Sequence, residues 1–179
     1  IPRGIDHVFT DNLWLLSGRI LLEGGFDKYL LRPINPLFHL LSERFQPDGF
    51  GEIIIGSILV GYSGVYLGME ITPGKGILFL TAVLFASIIY TAIKLAVSSV
   101  SFWIKFAQSY LYMTYQMSTF TKYPMTIYPN AIRGLLTFVI PFAFTGYYPG
   151  AYFLGKATFA QGIAMTVLVS IISILVAYQ

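Results

Sequence analysis

Three long apolar segments constrain this chain more than any other feature of its sequence. They cover residues 50–69, 77–99 and 157–177. A helix needs roughly 20 predominantly apolar residues to cross the hydrocarbon core of a bilayer, and each segment meets that length. Backbone groups in lipid must be satisfied within the segment, so we predict an all-α, polytopic integral membrane protein. Charged residues make up only 11% of the chain, which excludes soluble enzymes and disordered chains.

The region between the second and third segments allows two assignments. The stretch 109–121 is short and rich in Tyr and Met, and we predict it as a fourth, disputed crossing that leads into a proline-rich segment, 122–155. The competing assignment keeps 104–131 in the cytoplasm and makes 132–154 a complete crossing. Only a probe placed within 121–131 separates the two.

The distribution of basic residues predicts the orientation. Residues 1–49 contain five Lys and Arg, and the turn at 70–76 contains one. By the positive-inside rule, residues 1–49 and the C-terminal Gln179 are cytoplasmic and the turn is external. The segment 1–49 has no apolar run long enough to span, so we expect a polar region with short amphipathic helices. The basic residues never form a run, which argues against nucleic acid as a partner.

Small residues recur at helical spacing on one face of the first apolar segment. They are Ser57, Gly61, Gly64 and Gly68. Such a face lets two helices approach closely in lipid, and we expect it to pack within the chain rather than form a seam between two copies.

One basic residue lies deep in the second segment. Lys94 shares a polar face with Thr91 and Ser98. An unpaired charge at this depth is costly, so the favoured interpretation is that Lys94 snorkels to the cytoplasmic edge. The alternative places all three residues along a translocation path.

The chemistry of an enzyme is absent from the sequence. The chain has no cysteine, its two histidines lie in the polar region, and no acidic residue follows Glu70. Residues 150–157 match G-x-x-x-x-G-K, but Ala157 occupies the Ser/Thr position that holds Mg²⁺ in a phosphate-binding loop. We therefore expect no catalytic residue, metal or cofactor on this chain.

A short amphipathic helix is predicted over residues 36–45. Asn35 is a favoured N-cap and Pro36 suits the first helical position. Leu37, Leu41 and Phe45 line one side, and Phe38 and Leu40 lie beside them. The apolar stripe fits equally well on a membrane surface or in a groove of a partner protein.

Two ordered motifs carry a resemblance to a known family. The first is G-x-x-D-x-x-L-L-R-P-I at 24–34. The second runs through YPMTIYP at 123–129, Arg133, LLTFVIPFAF at 135–144, YYP at 147–149 and LG at 154–155. Together they resemble the membrane-spanning permease of type-2 ABC exporters, the ABC-2 family transporter proteins, over essentially the whole chain.

The resemblance implies a role for each region. Residues 36–45 would be the coupling helix that contacts a separate ABC ATPase subunit, which would bind ATP and Mg. Its contact residues would be Asp27, Arg32, Pro33, Pro36, Leu37, Phe38 and Leu41. Residues 122–155 would be an external re-entrant hairpin shaped by Pro124, Pro129, Arg133, Pro141 and Pro149.

The resemblance also implies an assembly and a location. A second permease copy or homologue would complete the path in the bacterial plasma membrane. Such permeases carry further spans at the N-terminal side, so we expect additional spans upstream of Ile1. Two other functions stay open at this point. One is a membrane scaffold or assembly factor that transports nothing, and the other is an ATP-independent channel or carrier.

Overall fold

The computed structural model describes residues 1–70, 72–104 and 107–179. Every regular element in these ranges is helical, which confirms the all-α prediction. Short 3₁₀ and π turns join the α-helices, which are α1 (Pro2–Thr10), α2 (Asn12–Leu15), α3 (Asp27–Leu30), α4 (Pro36–Ser42), α5 (Gly49–Tyr66), α6 (Pro73–Ser99), α7 (Gln108–Met117), α8 (Asn130–Gly134), α9 (Tyr147–Phe153) and α10 (Met165–Tyr178).

Three helices form the membrane-spanning frame. α5 has 18 residues, α6 with its terminal 3₁₀ turn has 30, and α10 with the π turn before it has 19. Within the described ranges these three are long and apolar enough to cross a membrane, and they overlap the predicted segments 50–69, 77–99 and 157–177. The disputed crossing at 109–121 is not among them, because α7 has 10 residues and is only about 15 Å long.

The N-terminal helix α1 packs at the depth of the spans. It runs antiparallel to the first half of α5, with Ile1 beside Gly56 and Val8 beside Gly49. A Cβ on Gly49 would lie 2.6 Å from a Val8 methyl group, so the glycine permits this close approach. This placement differs from the separate polar region expected for 1–49, because α1 joins the bundle through its small and apolar residues.

Most of the small-residue face of α5 is exposed: Ser57, Gly61 and Gly68 are open, and Gly64 is buried next to Met69. A Cβ placed on Gly61 would meet no described atom within 4 Å, and one on Gly64 would meet only the side chain of Met69. The expectation that this face packs within the chain is therefore wrong. The glycines that do pack within it lie toward the other end of α5, where α1 covers them.

Between α6 and α10 the chain forms short helices and turns instead of one long helix. α7 begins beside the π turn Leu16–Ile20, where the Gln108 side chain covers Gly18. The 3₁₀ turn Phe142–Thr145 is buried against the middle of α6, at Tyr90, and the start of α10, at Thr166. Farther along, α9 places Phe153 against Phe79, near the opposite end of α6.

These pieces contradict the competing assignment of one complete crossing at 132–154. The helix ends at Val139, Pro141 precedes a 3₁₀ turn, and Gly146 with φ −155° separates that turn from α9. A single membrane helix does not fit this backbone. The other half of that assignment, 104–131, includes residues 105 and 106, which lie outside the described ranges.

Candidate functional site

The predicted capped helix is present as α4. The Asn35 side chain accepts hydrogen bonds from the backbone N–H of Leu37 at 2.9 Å and of Phe38 at 3.2 Å. Pro36 occupies the first turn, as predicted. The helix ends at Ser42, three residues earlier than predicted, so Phe45 lies beyond it and packs on Phe9 instead.

The apolar stripe of α4 faces the chain's own core. Leu40 is buried with Leu13, Tyr29 and Leu95, and Leu37 and Leu41 pack against the same cluster, which also includes Leu16 and Ala177. The opposite side of the helix presents Phe38, which is 65% exposed. Of the three side chains expected to fill a partner's groove, only Phe38 is free to do so.

The side chains of Lys28, Tyr29 and Glu43 join α3 to the end of α4, and we call this group the clip. The Tyr29 side chain is fully buried, its hydroxyl donates to Glu43, and its ring lies edge-on to His39 with centroids 4.9 Å apart. Lys28 Nζ lies 2.7 Å from Glu43 Oε1. Arg32 Nη1 donates to His39 Nε2 at 3.1 Å, which fixes the loop between the helices.

The clip perturbs the titration of its members. Hydrogen bonds from Lys28 and then Tyr29 lower the pKa of the Glu43 carboxyl. Its bond to Glu43 raises the pKa of the Lys28 ammonium, and burial followed by the Glu43 bond raises the pKa of the Tyr29 phenol. At neutral pH Glu43 is therefore the carboxylate that holds the clip.

Sequence reasoning missed Tyr29 and Glu43. It chose Asp27, which begins α3 and is exposed, and Pro33, which is exposed in the connecting bend. The available signal was an aromatic residue in a polar segment with a carboxylate on the next predicted helix. An exposed Leu31, at 83%, also lies in this loop.

A buried ion pair joins α1 to α6. Lys94 Nζ lies 2.7 Å from Asp6 Oδ2, and the two residues are 6% and 2% exposed. Lys94 also donates to Thr10 Oγ1 at 3.1 Å, and Thr91 Oγ1 donates to Asp6 Oδ1 at 3.0 Å. The snorkelling interpretation is therefore wrong, because an acidic residue of α1 neutralises the charge in place.

Of the other two expected path residues, Thr91 takes part in this contact and Ser98 does not. Ser98 is buried and its hydroxyl donates to the Leu95 carbonyl. The cavity beside the ion pair, lined by Tyr90 and Tyr115 among others, has a volume of about 20 Å³. That volume holds about one water molecule, and in this conformation Lys94 and Thr91 join α6 to α1.

Comparison with known proteins then identifies the family. The family model described as ABC-2 family transporter protein matches residues 1–179. The chain belongs to the ABC-2 transporter family. A search of curated proteins and a search of solved structures find no significant match. As an ABC-2 family member, the chain is a membrane-integral permease, the transport subunit of an ABC transporter, and the family works with ABC ATPase subunits.

The family's proline-rich region has a defined local structure in this ABC-2 chain. Pro124, Pro129 and Pro141 each stand immediately before a helical turn, and Pro149 lies in the first turn of α9. Arg133 connects α8 to the preceding turn, because its guanidinium donates to the carbonyl groups of Met125 at 3.2 Å and Tyr128 at 3.5 Å. The described residues contain no group of His, Asp and Glu suited to a metal ion.

Proposed function

We propose that this chain forms the path of an ABC exporter and that α4 couples it to a separate ATPase subunit, which binds ATP and Mg. The observation that carries the proposal is the two-sided placement of α4. Its inner side packs on a core shared with Leu95 of α6 and Ala177 of α10, and its outer side exposes Phe38. A partner that holds the outer side gains a mechanical connection to two spans.

The residues around α4 have distinct roles in this proposal. Phe38 and the exposed Leu31 contact the ATPase. Arg32 and Pro33 shape the loop, with Arg32 anchored on His39. Pro36 sets the first turn of the helix, whereas Leu37 and Leu41 connect it to the core. Asp27 stands at the start of α3, where a carboxylate is favourable toward the helix dipole.

A series of contacts connects α4 to the Lys94–Asp6 ion pair of α6. Asn12 Nδ2 donates to the Leu40 carbonyl at 2.5 Å, which ties α4 to α2. α2 follows α1 after one residue, and α1 holds Lys94 through Asp6. A displacement of α4 by the ATPase therefore acts on α6 through α1 and α2 as well as through the core.

The proposed topology keeps residues 1–49 and Gln179 on the cytoplasmic side of a bacterial plasma membrane, with α1 entering the bundle from that side, and places 70–76 outside. In support, Asn35 Nδ2 donates to the hydroxyl of Tyr178 at 3.4 Å, so α4 and the end of α10 meet. We retain 122–155 as a re-entrant element, since α6 and α10 cover its buried turn as lipid requires. A second copy or homologue would use the open face of α5. Because the chain has no cysteine, labelling of single Cys residues at Lys75 and Asn130 from either side tests this topology.

The coupling experiment removes the exposed contacts and keeps the core. Burying one large apolar side chain contributes about 1.5–3 kcal/mol, so Phe38→Ala with Leu31→Ala weakens ATPase recruitment by on the order of 100-fold or more. Phe138→Ala is the matched control, because Phe138 is also exposed. The measurement is co-purification of the ATPase together with permease-stimulated ATP hydrolysis in nanodiscs.

The opposite result has a clear meaning. If the double variant recruits and stimulates the ATPase as well as Phe138→Ala does, α4 is not the coupling element. Retained ATPase binding with looser lipid contact would identify α4 as a membrane-surface helix. A chain that recruits no ATPase in any form would instead be a scaffold or an ATP-independent channel or carrier.

A further inference from the structure

A charged cleft lies beside the α3–α4 clip. It has a volume of about 420 Å³ and is bounded by α2, the π turn Leu16–Ile20, α3 and the residues after α4. Its charged lining consists of three cations and two carboxylates, Arg19, Lys28, Arg44, Glu23 and Glu43. The size suits a small polar group rather than a helix of a partner protein.

The cleft has an excess of positive charge. Arg19 Nε pairs with Glu23 at 3.0 Å and Lys28 pairs with Glu43 at 2.7 Å, so each carboxylate already has a cation. Within the described part of the chain, Arg44 has no ion-pair partner. The Arg19–Glu23 pair is exposed on both sides, and such pairs contribute little. Arg44 is therefore available to an anionic ligand, and Arg19 can exchange its weak contact with Glu23 for a contact with that ligand.

The depth of the cleft is set by the helices around it. Gly49 begins α5 and faces Val8, and the cleft residues Asn12 and Leu15 follow Val8 in α2, beyond this end of α5. Phe26, adjacent to the cleft residue Gly25, packs edge-on against Phe102 beyond the end of α6. The headgroup layer extends roughly 5–8 Å beyond the hydrocarbon core, and the cleft lies at that level.

We propose that this cleft binds the phosphate head group of an anionic phospholipid, with the guanidinium groups of Arg19 and Arg44 contacting the phosphate and Lys28 beside it. Guanidinium groups match phosphate oxygens in a bidentate geometry. The apolar side chains of Leu15 and Ile20 in the lining would contact the glycerol and the start of the acyl chains. The site needs no ATPase, so it stands or falls separately from the coupling role of α4.

The test measures lipid binding to the full chain. Phosphatidylglycerol is titrated into the delipidated protein in neutral detergent, and bound lipid is counted by native mass spectrometry against phosphatidylcholine. Arg19→Gln with Arg44→Gln weakens phosphatidylglycerol binding about tenfold or more, since charge-assisted hydrogen bonds are lost. Lys75→Gln is the matched control, because it removes one exposed cation at the other end of α6 and leaves binding unchanged.

Several results would overturn the proposal. Equal phosphatidylglycerol binding by the double variant and the Lys75 control would remove the site. Competition by inorganic phosphate at equal concentration would assign the cleft to a soluble anion instead of a lipid. Intact lipid binding with lost ATPase recruitment would make the cleft a protein-docking site. The unfolding midpoint of each variant is measured in phosphatidylcholine, so that a loss of binding can be separated from a loss of fold. Arg44→Lys is the conservative comparison, because it keeps the positive charge.

Discussion

Removing Lys94 should destabilise the fold far more than removing a lysine that reaches the membrane edge. At the observed 2.7 Å separation from Asp6, the direct attraction is about 6 kcal/mol at an effective dielectric constant of about 20. Burial of each ion costs several kcal/mol, so the pair itself contributes little net stability. The large effect comes from breaking it, because Lys94→Met leaves the Asp6 carboxylate buried.

The expected values follow from that asymmetry. Lys94→Met should cost about 3–5 kcal/mol, whereas Asp6→Asn combined with Lys94→Met should recover most of the loss because no charge remains buried. A double-mutant cycle with Asp6→Asn alone isolates the coupling. Unfolding is followed in mixed micelles by the fluorescence of Trp14, which lines the cavity beside the pair, in a Trp103→Phe background that leaves it the only tryptophan.

Two outcomes would refute this reasoning. A cost below about 1 kcal/mol for Lys94→Met would mean that the lysine is exposed in the membrane, as in the snorkelling interpretation. Additive losses in the double variant would mean that the two residues do not interact. Thr91→Val serves as a control, because it removes a single hydroxyl donor to Asp6 and should cost only about 0.5–1.5 kcal/mol.

Three further outcomes are expected. Gly49→Leu should reduce stability by several kcal/mol because its Cβ meets Val8, whereas Gly61→Leu should leave the unfolding midpoint unchanged and weaken association with a second copy, as measured by thermal melts and cross-linking. Since the pKa of Glu43 is lowered on folding, the clip should hold above the ordinary glutamate pKa of 4.5 and loosen as pH falls below it, as reported by hydrogen exchange at 27–43. Asn35→Ala should cost about 1 kcal/mol through loss of the α4 cap, whereas Asn35→Asp should not.

Hydropathy and capping chemistry predicted the parts of the fold that local sequence determines. The three spans were found because apolar length alone decides whether a helix can cross a bilayer. The start of α4 was found because Asn35 and Pro36 act on adjacent backbone groups. Pro141 and Gly146 interrupt the helix within 132–154 for equally local reasons. From the sequence, however, this region could be assigned either to a hairpin or to a complete crossing.

The parts that failed depend on contacts between distant segments. Lys94 was assigned to the membrane edge because its partner, Asp6, lies in a segment classified as polar by composition. The apolar stripe of α4 could face lipid, a partner or the chain itself, and periodicity alone does not distinguish these. Only the position of α4 beneath α6 and α10 shows that Leu37 and Leu41 cover the core.

Six of the eight acidic residues of this chain lie before the first span, and two of them join helices of the N-terminal region to their neighbours. Asp6 and Glu43 act on opposite ends of the same N-terminal unit, one against α6 and one within the clip. Asp6 holds α1 against α6 through Lys94, and Glu43 holds the end of α4 against α3 through Lys28 and Tyr29. In the coupling role proposed for α4, both contacts would carry a displacement of α4 to the spans, so breaking either one should weaken permease-stimulated ATP hydrolysis by the ATPase.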